Sequence, residues 1–371
     1  MSFIDIPVSH RKFGSGFLCL ALFLLLSFVA LSAGAQGEAK GTSASEKQSA
    51  DGDAKEAKEQ LVWPPPPLDP RIRYVTSIAT SDDVRGKKGF WRKLWEFFRG
   101  PQVDTMVKPM GVAVDREERI YVADPAAKRV HLFEPRKKRY RFIESVGERR
   151  LQFPINVDVD DEGNLYIVDG LLKRVFSLNA GGKPGNSYGK QGQLQRPSDV
   201  AADLRRNLLY VVDPPAHNIK VFDLKSGMLK RVIGKRGIRP GEFNFPAWLA
   251  IDGDGRLYVT DSLNGRIQIL SKEGEPLSSF GKLGDGTGDF VTPKGIALDS
   301  DGHLYVADAG FDNIQIFDAK GRLLLYFGGS GQAAGLFWMP GGIYIDHRDR
   351  IYVADSYNRR IQVFQYLKER L

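Results

Sequence analysis

The residues of this 371-residue chain best suited to chemistry are carboxylates on a fixed spacing. Asp115, Asp160, Asp203, Asp252, Asp299 and Asp346 form one set, and Asp124, Asp169, Asp213, Asp261, Asp308 and Asp355 a second. Three residues before each of the second set stands a tyrosine: Tyr121, Tyr166, Tyr210, Tyr258, Tyr305 or Tyr352. A carboxylate beside a phenol can move protons. Six copies of the pair argue for structure instead, with the second set expected to accept hydrogen bonds from the backbone of the loop that follows. Asp252-Gly253-Asp254-Gly255 and Asp158 to Gly163 look like fragments of calcium loops. No glutamate follows at the distance such a loop needs, and the slot recurs as Asp299-Ser300-Asp301-Gly302, so hairpin turns are expected.

Two other constellations are weaker. Gly185-Asn186-Ser187-Tyr188-Gly189 matches G-x-S-x-G, but a nucleophilic serine needs a strand-to-helix turn, and here the register aligns Ser187 with Ser279 in outer strands. Zinc chemistry would need converging histidines. His131 falls in a third strand and His217 in a loop; His303 and His347 fall in turns at the opposite end. No catalytic residue, metal site or cofactor is expected from these residues.

The elements that carry the carboxylates are short strands. In Pro293 to Phe317, PKGIALDSDGHLYVADAGFDNIQIF, apolar runs of four to five residues alternate with Asp/Gly/Ser turns, which are hairpin features. The unit starts at Pro109, Pro154, Pro197, Pro246, Pro293 and Pro340. Successive members of the Asp124 set lie 45, 44, 48, 47 and 47 residues apart by subtraction. Six units of roughly 40–50 residues with four strands each predict an all-β, six-bladed β-propeller. The unit, P-x-G-I-A-[VL]-D-x-D-G-x-[LI]-Y-V-A-D-[SA]-x-N-x-R-I-Q-[VI]-F, strongly resembles the NHL repeat, and the resemblance covers about Met106 to Leu371. It implies a propeller acting as an interaction platform, without fixing the activity.

What differs between blades is more informative. Two residues after the proline, Gly111, Gly295 and Gly342 are replaced in blades two to four by Asn156, Asp199 and Trp248. With Asp158 and Lys294 these predict a polar, ligand-binding pocket with one aromatic wall. Asp158 and Tyr344 interrupt a column of small residues, Ala113, Ala201, Ala250 and Ala297, whose size is expected to admit bulky side chains from adjacent blades. An unpaired buried carboxylate is costly, so Asp158 should have a partner or a ligand. On the same mouth, Leu171, Leu172, Arg174, Leu263, Arg266, Phe311, Tyr357, Arg359 and Arg360 predict a partner-binding face.

Upstream segments place the propeller. Residues 1–35 read as an export signal: a cationic start, an apolar core from Phe17 to Ala30, and Ala33-Gly34-Ala35 before Gln36. Retained, the same segment would be a membrane anchor. Cys19, the single cysteine, lies inside it, so the mature chain has no thiol chemistry. Residues 36–60 have the composition of a disordered tether. Within 61–105, Trp63 to Pro67 reads as a polyproline spacer and Arg71 to Ile78 as a half-exposed strand that closes blade six. Gly89 to Gly100 reads as an amphipathic helix with Phe90, Trp91, Leu94, Trp95 and Phe98 on one face, for a protein or membrane surface. Blades are expected at about 106–150, 151–193, 194–242, 243–289, 290–336 and 337–371.

With 42% hydrophobic residues the chain can bury a large core, and its net charge of +8 favours anionic partners. The expected function is an exported, non-enzymatic binding scaffold in the periplasm or cell envelope, monomeric, presenting one face to a protein, peptide or glycan. Export argues against nucleic acid. The alternative is a propeller enzyme, of lyase or calcium-dependent lactonase type, with Asn156, Asp158 and Asp199 supplying oxygens to a metal. Amino-terminal sequencing of the mature protein should begin at Gln36; an intact Met1 in the membrane fraction would mean that the signal stays as an anchor.

Overall fold

The computed structural model describes residues 61–85 and 104–368, so the export signal, the tether and the stretch with Phe90, Trp91, Leu94, Trp95 and Phe98 lie outside the described residues. Six antiparallel sheets of four or five strands form the blades; five are paired in sequence order, and the sixth draws two strands from before residue 79. The inner strands are Gly111–Val114, Pro154–Val159, Asp199–Asp203, Pro246–Ile251, Pro293–Leu298 and Pro340–Ile345. The middle strands, such as Leu165–Asp169 and Leu304–Asp308, are buried at every residue, because neighbouring blades cover both faces. The chain is an all-β six-bladed propeller.

Blade six is completed from the other end of the chain. Ile72–Ile78 pairs with Arg360–Tyr366 from Ile72 opposite Tyr366 to Ile78 opposite Ile361. Ile72 is fully buried beside Phe364 and Phe327. Trp63, on the added strand Val62–Trp63, packs edge-on against Phe364 at 5.8 Å and tilted on Phe327 at 5.6 Å. The prolines after it do not make an extended spacer. They lie in the turn of a hairpin, where the Arg71 amide donates to the Trp63 carbonyl at 2.7 Å. Between blades six and one, the Ser356 hydroxyl donates to the Pro109 carbonyl at 2.7 Å.

The Asp124 set holds each blade to the chain segment entering it. All six carboxylates are fully buried. Each accepts from an amide 17 or 18 residues upstream: Val107, Gln152, Gln195, Asn244, Val291 and Trp338, at 2.6–2.8 Å. The expected bonds to the following loop exist in some blades, for instance Leu172 to Asp169 at 2.9 Å, but the bond common to all six is to the incoming connector. The Asp115 set turns the first hairpins. Asp299 accepts from the Asp301 and His303 amides and from the Tyr305 hydroxyl. Blade three departs from this, since Tyr210 bonds the Lys272 carbonyl instead.

Outer strands of blades two to five end in an apolar residue and a glycine, Tyr188-Gly189, Ile233-Gly234, Phe280-Gly281 and Phe327-Gly328, for a packing reason. Gly281 sits at φ +83°, and a Cβ there would lie 2.4 Å from the Phe290 ring, so the connector's buried phenylalanine requires the glycine. Val146-Gly147 is an exception: blade one's outer strand is Arg139–Ile143, and Val146 belongs to a small extra hairpin with Arg149–Arg150.

Two outcomes test this account. Ile72→Ala should lower stability by about 2–5 kcal/mol in urea denaturation, and a chain starting at Thr105 should melt far lower or aggregate through its open edge. Asp261→Asn should also destabilise strongly, because the amide would set an N–H against donors already aimed at the carboxylate.

Candidate functional site

The inner strands converge on the propeller axis, and one end of the channel is pinched shut. A Cβ on Gly295 would lie 2.6 Å from the Gly341 carbonyl oxygen and 2.8 Å from the Gly342 Cα. One on Gly342 would lie 2.8 Å from the Met110 carbonyl oxygen, and one on Gly111 would lie 2.6 Å from the Asn156 Cα. Blades five, six, one and two therefore touch backbone to backbone at this level. Side chains fill the rest of the ring. The Asn156 amide donates to Asp199 Oδ1, and Asp199 Oδ2 accepts from the Leu249 amide at 2.6 Å, linking blades two, three and four. Trp248 completes the floor.

Beyond this floor the channel widens into a blind cup of about 380 Å³ that opens among the first-to-second-strand turns. Asn156, Asp158, Asp199 and Trp248 all line it, as the sequence suggests, but it faces away from the second-to-third-strand loops. Lys294 is not part of its wall. That residue stands one position beyond the pinch, where burial and then nearby Lys108 lower its pKa. The small column serves both the cup and the blade contacts: Ala201, Ala250 and Ala297 line the cup, and each packs in a cluster with apolar side chains of the next blade. Ala113 is a socket as well, with Tyr344 packed against its cluster.

The cup's polar groups differ in how well they are served. Both Asp199 oxygens accept N–H bonds, yet burial pushes its pKa up to about 8 against the pull of the Leu249 and Val200 amides, and Asp158 adds to the rise. Asp158 is pushed up to about 6 by burial; the Ala202 and Val159 amides oppose this, while Asp160 and Asp161 add to it. Asp158 Oδ2 accepts from the Ala202 amide at 2.9 Å, the Val159 amide also bears on the carboxylate, and no cation pairs with it among the described residues. The Tyr344 hydroxyl has no hydrogen-bond partner among them, and the buried Trp248 indole N–H is unpaired too. Sequence reasoning noticed Tyr344 only as a break in a column. Its role in the cup depends on which way the channel opens.

The histidines do not meet. His131 is buried against Tyr140 and Asp124, His303 bonds Asp299, and His217 accepts from the Phe245 amide. Ser187 lies in the outermost strand Pro184–Tyr188, opposite Phe176. Asn156, Asp158 and Asp199 do not fit a calcium ion, which takes six to eight oxygens. Asn156 Oδ1 accepts from the Val157 amide and both Asp199 oxygens accept N–H bonds, so donors already occupy oxygens that a calcium ion would need.

The face opposite the cup is different in kind. Its second-to-third-strand loops and the segments entering each inner strand expose Val107, Leu171, Phe245, Leu263, Val291, Trp338 and Tyr357. Trp338 and Tyr357 stack at 5.6 Å, with the Lys108 ammonium 4.6 Å from the Tyr357 ring centre. Leu172 and Phe311 are half-buried. Arg359 is exposed, whereas Arg266 and Arg360 are held inward by Asp261 and Asp355, each at 2.8 Å, and Arg174 bonds the Gly189 carbonyl. The turns on the cup side expose two large apolar side chains, Met228 and, in the hairpin turn before Ile72–Ile78, Leu68.

Comparison with known proteins agrees with this architecture. The NHL repeat model matches residues 337–364, and a model described as a six-bladed β-propeller matches residues 249–324. The chain carries NHL repeats. NHL repeat-containing protein 2 of Bos taurus is 37% identical over 105 residues, 26% of this chain and 14% of that protein. Peptidylglycine alpha-amidating monooxygenase of Rattus norvegicus is 34% identical over 227 residues, 57% of this chain and 22% of that protein. The matches thus span 14–22% of these two relatives. Among solved structures, a gluconolactonase from Xanthomonas campestris has a TM-score of 0.54 at 16% identity, covering 71% of this chain and 88% of its own. A streptogramin B lyase has a TM-score of 0.52 at 13% identity, covering 71% and 94%. At such identities the likeness to this NHL propeller is one of fold.

The Asp158 carboxyl has a pH signature. Its pKa in the fold lies above the usual carboxylate value near 4, so ionising it costs stability. That cost is complete above about pH 6 and vanishes as pH falls toward 4. Asp158→Asn, whose carbonyl oxygen can still accept from Ala202, should therefore melt higher than wild type at pH 8 and equal to it near pH 4.5. A lower melting point at pH 8 would show that the carboxylate stabilises the fold.

Proposed function

We propose that this protein is an exported, non-enzymatic binding scaffold that presents its second-to-third-strand loop face to a protein or peptide partner. The observation that carries the reading is one-sidedness: seven large apolar side chains are exposed on that face, against two, Met228 and Leu68, on the turns of the other. Exposed apolar residues gathered on one surface mark interaction sites, and a Trp–Tyr–Lys stack is the kind of cluster that anchors them. Charge supports an acidic partner. Lys108, Lys128, Lys173, Arg196 and Arg359 stand on these loops and entry segments, while acids there are engaged: Asp312 by Ser330 and the Met339 amide, Glu242 by Arg239 and Asp289 by Lys282. Opposite charge on the partner would speed encounter and set its orientation. The export signal read from residues 1–35 supports a site of action in the periplasm or envelope.

The enzyme reading draws on the amidating, lactonase and lyase proteins named above, which share the fold. The donor pattern at Asn156, Asp158 and Asp199 gives it no metal site to start from, and calcium should leave the melting midpoint unchanged. A large calcium-dependent rise would favour the enzyme.

A photo-crosslinking residue placed at 357 should yield a discrete protein adduct in cells, and one placed at 228 should not. Trp338→Ala with Tyr357→Ala should abolish the adduct without changing the melting midpoint. Adducts of equal strength from both faces would overturn the assignment.

A further inference from the structure

We infer that the blind cup on the opposite face is a binding site for a small aliphatic primary amine, its ammonium held between Asp158 and Tyr344. This does not depend on the loop face, from which the pinch separates the cup.

The argument begins with the residues that break the alanine column. At the fourth position after the proline, four blades carry alanine, and blades two and six carry Asp158 and Tyr344. Ala113 of blade one lies between them, and Tyr344 packs against its cluster. Asp158 and Tyr344 both line the cup, and after burial the charge of Asp158 is the foremost influence on the phenol. The two polar ends form no hydrogen bond with each other, Asp158 has no cation partner among the described residues, and the Tyr344 hydroxyl has no hydrogen-bond partner among them.

The surrounding charges do not neutralise Asp158. On its own strand and turn, Asp160 is occupied by Asn164 and Tyr166, and Asp161 pairs with Arg116 at 2.9 Å. From blade three, Asp199 is filled by amides, and Arg206 is committed to Asp203 at 2.8 Å. Arg205 is exposed at the rim, its nearest bond a 3.5 Å contact to the Gly253 carbonyl. A buried carboxylate with no cation partner attracts a cation, and a phenol oxygen in the same cup can accept a second N–H. An ammonium supplies three donors and no acceptor, which matches this pair. One carboxylate and one phenol are too few oxygens for a divalent ion that takes six to eight. The rim is polar, with Asp161, Asp203, Arg205 and Asp252, but Ala201, Ala250, Ala297, Leu298 and Ile345 give part of the wall an apolar stretch that suits an alkyl chain. The cup's size falls within the range of small-molecule sites.

The test is calorimetric titration of the full chain with n-butylamine, which stays protonated throughout the range used. Binding should be at least tenfold tighter at pH 8 than at pH 4.5, and 1-butanol, of similar length without the charge, should not bind. Asp158→Asn should weaken binding at least tenfold, and Tyr344→Phe severalfold, with melting midpoints showing that both variants are folded. The inference fails if wild type does not bind the amine. It also fails if the alcohol binds equally, if Asp158→Asn keeps the affinity, or if calcium binds more tightly than the amine.

Discussion

A fully buried aspartate at the end of each blade's second strand is the constraint on which this propeller depends. Burying a charge without partners is prohibitive, so each of the six carboxylates must collect donors. The donors come from the connector that arrives from the preceding blade. A local requirement for hydrogen bonds thereby becomes a long-range tie, since strand and connector can satisfy each other only when the blades sit side by side. The cationic and amide side chains beside these carboxylates, such as Arg266 and Gln268 at Asp261 and Arg360 and Gln362 at Asp355, fill acceptor sites the amides leave. Residues that look like a reactive set are therefore mortar.

The same economy explains why the two faces differ. Connectors and second-to-third-strand loops meet on one face, where the carboxylates fix their backbone and leave their side chains free. Apolar residues there cannot be covered by the blades, which already bury both faces of every middle strand. They collect as an exposed cluster with cations around it. On the other face, the hairpin turns spend their Asp, Asn and Arg on their own backbone, as Asp299 does with His303 and Tyr305. That face is polar and self-satisfied except at the axis, where the cup opens.

The pinch gives the channel its polarity. Glycines let three inner strands approach with no side chain between them, and where glycine is absent, Asn156 and Asp199 close the ring by hydrogen bonds. The cost is visible in Asp199, whose pKa is pushed up to about 8 although donors surround it. Asp158 is a different case, a carboxylate raised by burial, served by the Ala202 and Val159 amides and paired with no cation among the described residues. One carboxylate ties three blades together, and the other faces the cup.

Much of this was legible in the sequence, because it follows from repetition. A period of 44–48 residues, alternating short strands and Asp-Gly turns dictate a propeller of six blades. The missing outer strand of blade six, set against the spare strand at Ile72–Ile78, dictates how the ring closes. The column broken by Asp158 and Tyr344 was equally visible, as were the replacements at Asn156, Asp199 and Trp248. What the repeat could not reveal is where the inner strands pack closely enough to seal the channel. That depends on inner strands so close that a Cβ added at Gly295, Gly342 or Gly111 would come within 3 Å of the next blade's backbone, set by how all six blades tilt together. It decided that Asn156 and Asp199 form a floor, that Lys294 lies outside the cup and that Tyr344 lies inside it. It also decided that Arg266 and Arg360 turn inward to buried carboxylates while Arg359 stays in solvent, since a periodic pattern names the residues on a loop but only the packed neighbours determine which of their charges are already spent.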